Sequence, residues 1–215
     1  MDKNMNAASI KMLERTKKAL EKNNMNAYIA LTKEDAVKIA EEIMPHGVAV
    51  TCGGSMTLSE CGMTEVLKSG KYNFLDREKA ADKLTFYRES YSADYYMCSS
   101  NAVTENGELY NVDGNGNRVS CICFGPSKVV MIVGRNKIVR NLDEAVARVK
   151  RYAAPANCQR LSSKTFCGET GICMGKEMTQ GCSSEDRICS TYVVSGYQRN
   201  KGRINVILVN EELGY

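Results

Sequence analysis

The alternation of short apolar runs with helical patterns constrains the fold of this chain more than any other feature. Residues 27–31 and 48–51 are predicted to be short buried strands, and the apolar spacing over 36–43 is typical of one helix face. Thr32 is placed to cap that helix, with Asp35 three residues further on. A helix capped by Asn141, with Glu144 three residues further on, and a strand over 204–210 continue the alternation. This pattern predicts an α/β protein.

From residue 93 the pattern changes, and four β-rich runs follow one another: DYYMCSSNAV, ELYNV, RVSCICF and KVVMIVG. Alternation followed by adjacent strands predicts an α/β sandwich with a mixed sheet. The 215 residues contain no internal repeat and no low-complexity linker, so a single domain over 1–215 is expected. Within it, a segment at about 157–200 is rich in Cys, Gly, Ser and Thr, and is predicted to be an irregular insertion.

Charge and hydropathy argue against several classes of function. The net charge is +4, from 29 basic and 25 acidic residues, and no Lys/Arg block is present, so no nucleic-acid partner is expected. No continuous apolar stretch is long enough for a signal peptide or a membrane span, which predicts a cytoplasmic protein without membrane association. In such a reducing compartment, the ten cysteines are not expected to form structural disulfides.

The stretch CGGSMTLSE, residues 52–60, has the strand–glycine–helix order that presents free backbone N–H groups to an anion. Gly53 and Gly54 allow a ligand to approach the backbone closely, and Ser55 and Thr57 add hydroxyl groups. The alternative is purely structural, because the glycines can simply turn the chain and Ser55 or Thr57 can cap the helix. The sequence favours neither interpretation.

The stretch TENGELYNVDGNGNR, residues 104–118, predicts two tight turns. Asn106–Gly107 is a strong hairpin signal, and Asp113–Gly114 predicts a second reversal before RVSCICF, giving a three-stranded meander. Its polar residues exceed what the turns require, and polar groups near strand ends often line a pocket. Glu105 is a candidate nucleophile, because a carboxylate needs only to be ionised, desolvated and held rigidly. The candidate pocket residues are Asn101, Thr104, Asn106, Gly107, Asp113, Asn117 and Arg118.

Four cysteines near the C-terminus are candidate metal ligands. Cys167, Cys173, Cys182 and Cys189 are spaced C-x5-C-x8-C-x6-C in an apolar-poor segment, where a metal could replace a missing core. Four thiolates suit zinc or an iron–sulfur cluster. Free buried thiols and redox disulfides are the alternatives, because the paired C-x2-C spacing of strong zinc motifs is absent.

Two further features favour structural interpretations. His46 is the only histidine and follows Pro45 in a loop, where it is expected to be exposed and without a catalytic role. Arg135 or Lys137, after a buried strand, could meet an anionic ligand at the end of the sheet. For Arg135 and Lys137, the preferred interpretation is a charged side chain solvated in a loop.

Three blocks together resemble the LUD-domain family, the lactate-utilisation proteins, and in particular its stand-alone members. The blocks are GGSMTLSECG, the run from Ala93 to Val139, and the cysteine segment. The resemblance implies the NagB/RpiA/CoA-transferase-like fold, an α/β sandwich that binds ligands at strand C-termini. Gly53 to Thr57 would correspond to a phosphate- or ligand-binding turn. Glu105–Asn106–Gly107 looks like the Glu-Asn-Gly element of CoA-transferases, whose glutamate attacks an acyl-CoA thioester.

Lactate-utilisation relatives act beside iron–sulfur and oxidoreductase partners, so the resemblance implies three alternative functions. The first is a protein of lactate or organic-acid utilisation that binds a small anionic metabolite (an organic acid, CoA or a sugar phosphate), with Arg118 pairing with the anion. The second is a CoA-transferase-like enzyme with Glu105 as nucleophile. The third is an accessory subunit in which zinc or an iron–sulfur cluster at the cysteines supports docking to an oxidoreductase. A homodimer is also considered.

Overall fold

A computed structural model of the protein describes residues 2–215. Its main sheet consists of six strands: β1 (Asn26–Ala30), β2 (Ala49–Cys52), β3 (Asn73–Leu75), β4 (Tyr95–Cys98), β7 (Lys128–Gly134) and β10 (Ile204–Val209). They are all parallel, in the order β1-β10-β7-β4-β2-β3. All their carboxyl ends therefore lie at one edge of the sheet, which is where open α/β sheets bind ligands.

Helices connect and cover the strands. They are α1 (Lys3–Lys22), α2 (Lys33–Ile43), α3 (Met56–Glu60), α4 (Met63–Lys68), α5 (Lys83–Glu89), α6 (Asn117–Cys123), α7 (Leu142–Arg148), α8 (Ala154–Leu161) and α9 (Phe166–Thr170). A π turn over Val149–Ala153 joins α7 to α8. Single 3-10 turns lie at 77–79, 90–92 and 135–137.

The central strands are buried on both faces. In β7, Val129, Met131 and Val133 pack in the cluster that contains Leu13 and Leu20 of α1. The alternate residues of β7 pack instead with Ala36 and Ala40 of α2, together with residues of α3 and α4. This two-sided packing explains why KVVMIVG and INVILVN are continuous apolar runs rather than alternating ones. The predicted α/β sandwich is confirmed.

A second, smaller sheet lies beyond the carboxyl edge of the first. It consists of β5 (Ala102–Thr104), β6 (Leu109–Asp113), β8 (Ile138–Val139) and β9 (Thr191–Ser195), in the order β8-β5-β6-β9. Its β5–β8 pair is parallel and its other pairs are antiparallel. Two of the passages of the chain between the sheets are residues 99–101, from β4 to β5, and residues 135–137, from β7 to β8. These two passages position the candidate site.

The prediction that RVSCICF is a strand is wrong, because these residues lie largely in α6. Gly116, with a φ of +79°, ends the preceding turn. The Asp113 carboxylate then accepts hydrogen bonds from the first backbone N–H groups of the helix, at Arg118 (2.8 Å) and Val119 (3.2 Å). The hairpin of β5 and β6 does form, but the meander does not continue into RVSCICF. The strand beside β6 is β9, from a segment predicted to be irregular.

The cysteine-rich segment is more ordered than predicted. Within 157–200 lie the end of α8, the short helix α9 and strand β9, while residues 171–190 contain neither helix nor strand. Arg187 holds this irregular part together, since its guanidinium donates to the carbonyls of Cys182 (3.0 Å), Cys189 (3.0 Å) and Thr179 (2.9 Å). It also donates to the Tyr192 hydroxyl of β9 (2.9 Å).

Candidate functional site

A cleft of about 330 Å³ opens at the carboxyl ends of β2, β4 and β7. The glycine loop after β2 forms one wall, and the two passages between the sheets contribute Ser99, Ser100 and Lys137. Residues 112–118, between β6 and α6, form another wall, and the π turn and α8 contribute Ala153, Asn157 and Arg160. The cleft therefore lies where the parallel sheet meets the mixed one.

Lys137 is the least expected residue of the cleft. It lines the cleft, yet only 3% of it is exposed. Its Nζ donates hydrogen bonds to Thr57 Oγ1 (2.7 Å) and Ser99 Oγ (3.1 Å), which leaves one N–H of an ammonium group without a protein acceptor among residues 2–215. In the same residues no carboxylate forms an ion pair with it.

Burial and neighbouring cations lower the pKa of Lys137 to about 7. Desolvation is the largest cause, followed by the positive charges of Arg148 and Arg118, while Glu60 and Cys98 act in the opposite direction more weakly. Since desolvation disfavours a charged amine, the neutral form of Lys137 is populated near neutral pH.

Arg118 is fixed by four hydrogen bonds, none of them to a carboxylate. Its NH1 group donates to Asn111 Oδ1 (2.8 Å) and the Ser99 carbonyl (3.3 Å), and its NH2 group donates to Asn101 Oδ1 (2.6 Å) and the Val112 carbonyl (2.8 Å). A guanidinium has five N–H donors, so Nε–H is the donor without a partner in the described residues. Neutral acceptors therefore orient Arg118 without cancelling its charge.

Asp113 is the one acidic residue lining the cleft in the described chain. Both of its oxygens accept backbone N–H groups: Oδ1 from Asn115 (3.2 Å), and Oδ2 from Arg118 and Val119 at the start of α6. Its carboxylate is thus engaged by the turn and the helix. The remaining ionisable side chains of the lining other than Tyr87 and Tyr215, namely Arg77, Arg118, Lys137 and Arg160, are all basic.

The glycine loop has the structural role considered for it and also lines the cleft. Ser55 caps α3 by accepting a hydrogen bond from the Leu58 N–H (3.4 Å), which is the structural interpretation. Gly53 also lies against the site, since a Cβ added there would be 2.6 Å from the Tyr96 hydroxyl. Gly54 lies beside the Arg77 guanidinium. Any larger residue at position 53 would displace Tyr96.

The structure brings together most of the predicted pocket residues. Those that line the cleft are Gly53, Gly54, Ser55, Asn101, Asp113, Asn117 and Arg118. Thr57 is fully buried behind them, where it accepts the hydrogen bond from Lys137 and donates to the Leu213 carbonyl (3.2 Å). Thr104, Glu105, Asn106 and Gly107 do not line the cleft.

The Glu105–Asn106–Gly107 turn packs instead on helix α1. The Glu105 carboxylate accepts from Arg15 Nε (3.0 Å) and NH2 (2.8 Å). Asn23, which ends α1, donates to the Gly107 carbonyl (2.8 Å). Gly107 has a φ of +82°, and a Cβ there would be 2.4 Å from the Ala19 carbonyl carbon. Close helix contact and backbone conformation thus account for the glycine.

The four predicted metal ligands do not converge. Among residues 2–215 no group of three or more His, Cys, Asp or Glu side chains could hold a metal ion. Cys167 Sγ lies 3.6 Å from Cys158 Sγ, and Thr165 donates to the latter (3.2 Å). Burial raises the pKa of Cys158 to about 11, which favours a thiol over a metal-binding thiolate. This arrangement does not fit a tetrathiolate zinc or iron–sulfur site.

Sequence reasoning assigned Lys137 to a solvated loop and did not single out Ser99, Ser100, Arg77 or Arg160. The available signal for Lys137 was its position three residues after the apolar run KVVMIVG, since loops after buried parallel strands often line ligand sites. His46 is exposed, as predicted.

Together, these observations define an α/β protein with a basic cleft at the carboxyl edge of a parallel sheet. The chain belongs to the LUD-domain family, whose model matches residues 13–209. This family is related to lactate utilisation.

A solved structure with a similar fold is that of a DUF162 family protein from Deinococcus radiodurans, at 14% identity and a TM-score of 0.56. The match covers 94% of this chain and 98% of that one. No match was found among curated proteins. In the described residues, no helix is both long and apolar enough to cross a membrane.

Proposed function

We propose that the cleft binds a small organic anion and that the protein serves lactate or related organic-acid utilisation in the cytoplasm. One observation carries this proposal. Three arginines (Arg77, Arg118 and Arg160) line the cleft, whereas Asp113, the one acidic side chain among the described lining residues, is engaged by backbone N–H groups. An excess of positive charge in a concave site attracts anions.

The geometry suggests distinct roles for these groups. Arg118 is held rigidly by amide and carbonyl oxygens, so little side-chain entropy is lost when its free Nε–H meets a carboxylate. Arg77 is only half-buried and makes no ion pair among residues 2–215, so it is suited to meet the anion at the rim. The hydroxyls of Ser55 and Ser99 supply neutral hydrogen-bonding groups that can orient a hydroxyl or carbonyl of the ligand.

Isothermal titration calorimetry against lactate, pyruvate, CoA and a sugar phosphate tests the proposal. We expect an organic acid to bind, and Arg77→Gln to weaken its binding about tenfold or more, since a hydrogen bond to a charged group contributes about 1.5–3 kcal/mol. Arg199→Gln is the matched control, because it removes the same charge from an exposed residue outside the cleft.

Absence of binding by all four compounds would contradict the proposal. Equal weakening by both variants would mean that net charge, rather than the cleft, governs binding.

The CoA-transferase alternative requires Glu105 to leave Arg15 and to act outside the cleft described above. The oxidoreductase partner and the homodimer stay predictions from the sequence.

A further inference from the structure

The Lys137 amine is a chemically unusual group to find in an anion-binding cleft. It lies at the passage between β7 and β8, almost completely buried, and its nitrogen is held by two hydroxyls rather than by a carboxylate. A lysine that serves only as a positive charge is normally exposed or ion-paired. Hydroxyl neighbours, in contrast, can hold the nitrogen whether or not it is protonated, because they both donate and accept hydrogen bonds.

The charges around this amine favour its neutral, nucleophilic form. Arg118 and Arg148 are the cations that face it, and Glu60 and Cys98 are the groups that oppose them. Arg148 is itself held by the carbonyls of Asn101 (2.7 Å) and Asn136 (2.9 Å), so its position beside the cleft is fixed. A lysine that is desolvated and placed next to other cations is the usual form of an amine that attacks carbonyl groups.

We propose that Lys137 forms an imine with the carbonyl carbon of a small 2-oxo acid bound in the cleft. This inference rests on the proposed binding of an organic anion there, and it names the substrate class. In the reaction, the Lys137 Nζ adds to the carbonyl carbon, and the two protons of the neutral amine leave with the carbonyl oxygen as water. A carbon–nitrogen double bond replaces the carbon–oxygen double bond, and no oxidant or reductant is needed.

The choice of a 2-oxo acid follows from charge. Protonation of the imine creates a cation next to Arg118 and Arg148, which is unfavourable for a neutral ketone. A 2-oxo acid brings a carboxylate one bond away from the reacting carbon, and this carboxylate offsets the new charge while also facing Arg118. The hydroxyls of Thr57 and Ser99, already hydrogen-bonded to the nitrogen, can hold and transfer the protons that the reaction moves.

Reductive trapping tests the inference. The full-length protein is incubated with pyruvate and cyanoborohydride, and the adduct is located by mass spectrometry of the intact chain and of its peptides. We expect one reduced pyruvyl group on Lys137, loss of the adduct in Lys137→Met, and an unchanged adduct in Lys128→Met. Lys128 begins β7, at the opposite end of that strand from the turn that contains Lys137; it lies outside the cleft and donates to the Gly202 carbonyl (2.9 Å).

The pH profile provides a second readout that a merely structural lysine would not give. The neutral fraction of Lys137 rises about tenfold between pH 6 and pH 8, so the trapping rate is expected to rise and then level off. Acetone, which lacks the carboxylate, is expected to give no adduct. An adduct with glyceraldehyde 3-phosphate but none with pyruvate would overturn the assignment to 2-oxo acids.

Calorimetry separates failure of this inference from failure of the proposed function. If pyruvate binds the wild-type protein without forming an adduct at Lys137, the imine is refuted and the anion-binding cleft stands. If no organic acid binds and no adduct forms, both are refuted. Adducts spread over several surface lysines, equally in Lys137→Met, would also refute the imine.

Discussion

We expect the substitution Lys137→Met to stabilise the folded protein at neutral pH and to lose this stabilising effect at alkaline pH. Methionine is close to lysine in length and carries no charge, so it fits the same buried position. The pKa of Lys137 is about 7 in the folded protein, against 10.5 for the unconstrained group. Folding at pH 7 must therefore neutralise this amine or bury its charge, and either one carries a free-energy penalty. At about 1.4 kcal/mol per pKa unit, this penalty is about 4 kcal/mol.

The lost hydrogen bonds act in the opposite direction. Thr57 and Ser99 each lose one bond to Nζ, at about 1 kcal/mol per bond. Each hydroxyl still donates to a carbonyl group, Thr57 to that of Leu213 (3.2 Å) and Ser99 to that of Ser100 (3.5 Å). Neither hydroxyl therefore becomes a buried polar group without a hydrogen-bond partner. The net gain at pH 7 is about 2 kcal/mol, or a rise of roughly 4–8 °C in Tm for a chain of this size.

The sign of the pH dependence follows from proton counting. Between pH 7 and pH 10.5 the unfolded chain binds more protons at this lysine than the folded one, so the stability of the wild type rises with pH over that window. By pH 10 the penalty is under about 1 kcal/mol, and the lost hydrogen bonds make the methionine variant the less stable protein.

Urea unfolding of both proteins at pH 7, 8, 9 and 10 measures this effect, and their difference cancels every other titrating group. Lys128→Met reports the effect of the same substitution outside the cleft. A difference between wild type and Lys137→Met that stays constant over this range would refute the lowered pKa, and with it the account of Lys137 as a neutral amine.

Two further predictions concern the turn on α1. Gly107→Ala should destabilise the protein by about 2 kcal/mol more than Gly47→Ala. Both glycines have a φ near +80°, but only a Cβ at position 107 would meet backbone atoms, those of Ala19. Equal losses of stability in thermal unfolding would show that the helix contact is unimportant there. Glu105→Gln removes a partly exposed ion pair with Arg15, so it should cost less than about 1 kcal/mol and leave organic-acid binding unchanged. A covalent CoA adduct in the wild type that disappears in Glu105→Gln would contradict this expectation and support the transferase.

Local patterns were sufficient for much of the secondary structure. Asn141 caps α7 by accepting from the Glu144 N–H (3.0 Å), and Thr32 caps α2 by accepting from the Asp35 N–H (3.1 Å), both as predicted. Such bonds join residues three positions apart, so they can be recognised in the sequence. RVSCICF was misassigned because its β-branched and cysteine residues suit a strand, whereas Asp113 and Gly116 start a helix there.

What the sequence by itself determined is the α/β class, the apolar central strands, the caps and the polar character of the loops. Only the tertiary structure decided which loops share a cleft. It separated Glu105, which follows β5, from Arg118, which follows β6, because the hairpin turn packs on α1 while the other end of β6 lines the cleft. It also buried Lys137, since the chemistry of a lysine depends on the charges and solvent around it, and these come from residues distant in sequence.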